Sequence, residues 1–250
     1  MEKIKNFNDF INEGISALTN SALKLITLEN PPGSNKGTEV EIMQKNVGIN
    51  PGDPWCAAFV YSFFKDANLP PDIMKKIPRT GGVSRLWDLS SGIKKITKEQ
   101  ALKNPDLILP GMVFCYLSRN EAGQYTGSGH TGIVVSVNPN DKTITSIEGN
   151  TNPLDGSREG FGSFIVTRKI EDPSISKEPK EHPAKMLGFI DFLDGYRNNE
   201  DPEYKGFADG IRDIISGYTK HTDSEINKIH SNPDLVAVYS NNYKNRNKIA

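Results

Sequence analysis

The chain has 250 residues and a formal charge of −1, with 30 Lys and Arg against 31 Asp and Glu. That length supports one good core and a small second unit, and the balanced charge sets up no basic field of the kind a nucleic-acid binder needs. No apolar run is long enough to span a membrane.

Ile4, Phe7, Ile11, Ile15, Leu18 and Ala22 recur at helical spacing and predict an amphipathic helix over residues 1–21. It either packs on the domain or docks on a partner or a membrane surface. Asn12, Glu13 and Asn20 interrupt its apolar residues, so it does not read as a secretory signal. Without an export signal, the two cysteines are expected as free thiols rather than a disulfide.

In Asp53-Pro54-Trp55-Cys56-Ala57-Ala58-Phe59-Val60, Asp53 suits a helix cap and Pro54 the first helical position. The apolar run continues through Phe63 and Phe64 and stops at Asn68, Pro70 and Pro71. Cys56 then lies in the opening turn, where unpaired backbone amides and the helix dipole favour a thiolate. Alone, a cysteine in an apolar helix is ordinary core. The case for a nucleophile rests on a base supplied from elsewhere in the chain.

The segment from Arg79 through Leu109 reads as a polar insertion between this helix and a sheet, with Trp87 as core packing rather than groove lining. Val113 to Leu117 reads as a strand carrying Cys115 into the core. Lys and Arg are interspersed with acids and read as solvated surface.

The base candidate is His130, at the mouth of a β-branched strand in Gly127-Ser128-Gly129-His130-Thr131-Gly132-Ile133-Val134-Val135-Ser136-Val137. After the turn-rich Asn138 to Lys142 comes Thr143-Ile144-Thr145-Ser146-Ile147-Glu148-Gly149-Asn150, a second strand and hence a hairpin. With Val137 facing Thr143, His130 falls opposite Asn150 and Gly132 opposite Glu148, all polar groups on one face. Either Glu148 or Asn150 can then orient the imidazole, and a one-residue slip would turn His130 to the other face. A thiol, a base and an orienting group are the parts that nucleophilic amide cleavage requires.

Pro54-Trp55-Cys56-Ala57-Ala58-Phe59-Val60, Gly129-His130-Thr131-Gly132-Ile133-Val134 and Ile147-Glu148-Gly149-Asn150-Thr151, in this order and spacing, resemble the successive signatures of CHAP-domain amidases and peptidases. Glu29 to Asn35 ahead of the Cys helix and the closing strand Leu187-Gly188-Phe189-Ile190-Asp191 extend the resemblance over roughly residues 22 to 193. One departure is the strand that usually opens Gly-Asp, which here reads Gly111-Met112.

The resemblance implies an α+β, papain-like fold with N-terminal helices packed on a small antiparallel β-sheet, in a catalytic domain over residues 22–194. It implies Cys56 as nucleophile, His130 as base, and Glu148 and Asn150 completing the site. The expected activity is hydrolysis of amides in bacterial peptidoglycan, as a stem-peptide or cross-bridge endopeptidase or an N-acetylmuramoyl-L-alanine amidase. The alternatives are a CHAP-type amidase on a non-wall substrate and a non-enzymatic virion or assembly component that retains the fold.

No cofactor is expected. Some relatives carry an Asp-rich calcium loop before the Cys helix, whereas Pro32-Gly33-Ser34-Asn35-Lys36-Gly37 has no carboxylate cluster. His182, His221 and His230 have no metal-ligand spacing. Residues 195–250 form a polar extension with a helical stretch at 207–215 and an apolar patch at 235–239; with the N-terminal helix they are the candidate contacts to a virion or wall partner. Wall cleavage without an export signal implies action after lysis, by injection or from a phage particle, and a cytoplasmic location otherwise.

Overall fold

The computed structural model describes residues 27–67, 69–119, 124–152, 160–171 and 184–197. Helices lead: α1 (Thr38–Val47), α2 (Cys56–Asp66), the short α3 (Pro71–Met74) and α4 (Val83–Leu89). Then come β1 (Lys94–Thr97), α5 (Lys98–Lys103), a 3-10 turn (Pro105–Leu107), β2 (Val113–Arg119), β3 (Tyr125–Asn138), β4 (Thr143–Thr151), β5 (Gly162–Lys169), β6 (Lys185–Asp191) and α6 (Asp194–Arg197). The expected segments at 1–21, 207–215 and 235–239, and His182, His221 and His230, lie outside the described residues.

α1 is amphipathic, burying Val40, Met43, Gln44 and Val47 at helical spacing. It ends on left-handed Gly48, whose amide turns back to the carbonyls of Gln44 and Lys45. α2 is buried along nearly its whole length, including Phe59, Phe63 and Phe64. Its start differs from the expectation that Asp53 caps it with Pro54 inside: the first helical residue is Cys56, Trp55 is the cap position, and no side chain caps it. Asp53 is occupied elsewhere. Its carboxylate accepts the Asn50 amide at 2.8 Å, closing a turn, and its carbonyl accepts Gln44 Nε2 at 2.7 Å.

The six strands form one sheet in the order β1-β6-β2-β3-β4-β5, antiparallel throughout. Its two faces serve two cores. On one, Val113, Cys115, Ile133 and Ile147 pack against α1, α2 and α4. On the other, Phe114, Tyr116, Val134 and Ile144 pack against Ile96, Ile108, Met186 and Phe189. Residues 79–109 are therefore not the polar insertion expected. They supply the edge strand β1, paired to β6, and α5, which begins with a reciprocal Thr97–Gln100 capping box. Buried Ile96, Ala101 and Ile108 tie the segment into the second core. Trp87 packs as expected against the helix-side core, with the Lys95 ammonium 4.6 Å from its ring centroid.

The β3–β4 hairpin corrects the expected register near its turn. Asn138, not Val137, faces Thr143, and the one-residue offset persists through Ser136↔Thr145. A bulge between Val134 and Ser136 absorbs it, so that Val134↔Ser146 and Ile133↔Ile147 recover the expected pairing on the His130 side. β3 also begins at Tyr125, placing His130 within the strand opposite Tyr116 rather than at its mouth.

Candidate active site

Cys56 is the first residue of α2, in the turn whose amides have no acceptor inside the helix. It lines a groove of about 590 Å³ together with Asp53, Arg79, Ser84, Arg85 and the strand segment Gly127–Gly129. Gly129 is the residue before His130, so the groove that opens on the thiol is walled by the strand carrying the imidazole. Two residues hold the helix start in place. Trp55 Nε1 donates to buried Glu29 Oε1 at 2.8 Å, and the second oxygen of Glu29 accepts the Asn35 amide at 3.0 Å.

Two glycines permit the elements to meet. A Cβ on Gly149 would lie 2.5 Å from Phe59 Cβ and 2.7 Å from Trp55 Cζ3, so glycine is what lets α2 rest directly on β4. A Cβ on Gly132 would lie 2.7 Å from Glu148 Cγ, so glycine also makes room for that side chain beside β3.

His130 is fully buried, with its ring 6.3 Å from that of Phe114 and 5.8 Å from that of Tyr116. Its Nε2 lies 2.8 Å from Glu148 Oε2. The sequence left Glu148 and Asn150 as alternative partners for this ring; the hydrogen bond is made by Glu148. Asn150 is buried in the left-handed region at φ 57° and accepts the Gly160 amide through its carbonyl at 3.3 Å. Its side-chain oxygen has no hydrogen-bond partner among the described residues.

Behind Glu148 lies a residue the sequence reading assigned to solvated surface. Arg168, on β5, is 1 % exposed. Its Nε donates to Glu148 Oε1 at 2.6 Å and its Nη2 to Oε2, while Ser146 Oγ donates to Oε1 at 2.6 Å. Burial pushes the Glu148 carboxyl up, but the Arg168 charge and the hydrogen bonds from Arg168 and His130 outweigh it and bring it down to about 2. The available signal was the alternation Phe164, Val166, Arg168, which places the arginine on one strand face with two apolar residues.

The second thiol has a different environment. Cys115 is fully buried on β2, with Sγ 3.8 Å from Thr131 Oγ1. Burial pushes it up to about 12, and it is a thiol at neutral pH. Neither cysteine forms a disulfide among the described residues. Among the described residues no three His, Cys, Asp or Glu side chains gather as a metal-binding group, and no helix is long and apolar enough to cross a membrane.

Residues 48–150 match the CHAP domain family, a span that contains Cys56, His130, Glu148 and Asn150 and ends before β5. No curated protein and no solved structure matches the chain.

Proposed function

For a chain that carries a CHAP domain on a papain-like fold and is a cysteine hydrolase, we propose that the bonds it cuts are amides of bacterial peptidoglycan, in the stem peptide, the cross-bridge or the muramoyl–alanine linkage. The observation that carries this reading is the groove in which Cys56 shares its walls with Arg79 and Arg85. Wall peptides are rich in carboxylates, and guanidinium groups are suited to receive them.

In the proposed mechanism Cys56 is the nucleophile. Its proton passes to Nδ1 of His130, the ring nitrogen that Glu148 does not occupy. The thiolate attacks the scissile carbonyl, and the developing oxyanion is met by the Cys56 backbone amide at the helix terminus. Imidazolium His130 returns its proton to the departing amine, leaving a thioester. A water molecule then gives a proton to His130 as it attacks the thioester, which regenerates the thiol and frees the acid. Asn150, buried on β4 two residues beyond Glu148, completes the site in this reading.

Cys115 is not the nucleophile in this reading, because a buried thiol held near 12 supplies almost no thiolate at neutral pH. The test is release of new amino groups and reducing ends from purified peptidoglycan by wild type, Cys56→Ala and Cys115→Ala. New amines without reducing ends, absent for Cys56→Ala and kept within a few-fold for Cys115→Ala, are expected. Amine release by Cys56→Ala would sink the nucleophile assignment. No release by any variant from several wall types would move the substrate to another amide.

A further inference from the structure

Arg168 lies outside the residues that match the CHAP family, yet it donates to both oxygens of the carboxylate that His130 meets through Oε2. Its guanidinium meets the carboxylate side-on through Nε and Nη2, a fork that fixes the plane of the carboxylate as well as its distance. The guanidinium carbon sits 5.7 Å from the Phe114 ring centroid and 5.4 Å from that of Tyr116, the two rings that also flank His130. Arginine, carboxylate and imidazole are thus all buried beside the same two rings. The polar and charged groups facing Glu148 there are Ser146 on its own strand, His130 from β3 and Arg168 from β5.

We propose that Arg168 is the positioning residue that keeps Glu148 a hydrogen-bond acceptor and so pins a proton of His130 on Nε2, leaving Nδ1 to take the thiol proton. The proposal rests on the reading of His130 as the base for Cys56.

The argument is one of proton placement. A carboxylate has no proton to give, so the 2.8 Å contact to Glu148 requires N–H at Nε2. Neutral His130 then carries its lone pair at Nδ1, and after taking the thiol proton it has N–H on both nitrogens with Glu148 still anionic. Remove the guanidinium, and a buried carboxyl with no cation beside it takes up a proton. A protonated Glu148 donates to Nε2 instead. The single ring proton moves to Nδ1, and the nitrogen that the mechanism assigns to the thiol proton becomes a donor that cannot accept. This is loss of function through the wrong tautomer, with every side chain still in place.

The test reads the ring and the thiol directly and uses no wall substrate, so a failed wall assay and a failure of this proposal are separate events. ¹⁵N NMR of His130 locates the ring proton, and mass-resolved alkylation of Cys56 by iodoacetamide at neutral pH reports the thiolate. Wild type is expected to have Nε2 protonated. Arg168→Met is expected to move the proton to Nδ1 and slow Cys56 alkylation about a hundredfold. Arg168→Lys, which keeps the charge and gives up the fork, is expected to keep Nε2 protonated, and it decides the question even where the methionine variant does not fold. A folded Arg168→Met with Nε2 still protonated and wild-type alkylation would overturn the proposal, as would a folded Arg168→Lys with its proton on Nδ1.

Discussion

Glu148 shows how much a single residue's environment decides. Its carboxyl is fully buried and nevertheless lowered, because the Arg168 guanidinium, His130 and Ser146 all hydrogen-bond the anion and Arg168 adds its charge. A carboxyl lowered on folding adds stability that is complete above its ordinary value of 4.5 and is lost as the pH falls through its folded value of about 2. The contribution is on the order of 3 kcal/mol. Urea unfolding across this window should therefore show wild type losing stability faster than Glu148→Gln, whose curve lacks this component. The variant should also be weaker at neutral pH by about 3–5 kcal/mol, since it leaves Arg168 charged and buried without its counter-ion. Parallel curves would mean that Glu148 titrates normally. His130 and Glu148 were legible as neighbours because they sit on the two alternating strands of one hairpin, although the pairing counted from its loop was one residue out until the bulge. Arg168 was not: arginine among acids is solvated by default, and only the burial of its strand face overrides that expectation.

At the level of elements, the site depends on α2 lying close against β4. The expected helix carried its thiol in the opening turn, and that survives a start shifted to Cys56, since Asp53 lost its capping role to a neighbouring turn without moving the thiol out of the first turn. The hairpin is the converse case. Its register was misjudged at the turn, and the bulge between Val134 and Ser136 restored it before the end that carries His130 and Glu148. Bulges of this kind respond to packing on both faces, which alternation alone does not encode. Gly149 is where the two elements touch, and its substitution isolates their contact. Gly149→Ala forces a methyl into Phe59 and Trp55, and α2 must lift from the sheet. The expected cost is about 1–3 kcal/mol in stability. Turnover should fall by more than that loss of folded protein accounts for, about a hundredfold, because Cys56, the proposed nucleophile, is displaced. Denaturation midpoints and kcat measured on the same sample separate the two. A variant with wild-type kcat would show that the close approach of helix and strand serves packing alone.

Across the whole molecule the charge is nearly balanced, yet the groove is not a sample of that average. Arg79 and Arg85 both line it, with Arg79 Nε anchored on the Asn46 carbonyl at 2.9 Å. The acid among the lining residues, Asp53, has its carboxylate engaged by the Asn50 amide. A neutral molecule exerts little long-range pull on an anionic substrate, so any attraction arises within the groove and is felt only over about a Debye length, some 10 Å at 0.1 M salt. Binding of a carboxylate-bearing peptide should then weaken with salt, while the chemical step at Cys56 should not. For soluble anionic wall peptides, KM is expected to rise about fivefold between roughly 0.05 and 0.5 M salt with kcat unchanged. Arg85→Ala should raise KM at low salt and flatten its salt dependence, again sparing kcat. The arginine acts on binding in this account, and the thiol, imidazole and carboxylate keep their own partners in the variant. A variant that kept the full salt dependence would place the attraction outside the groove, and one that lost kcat instead of KM would make Arg85 part of the catalytic geometry.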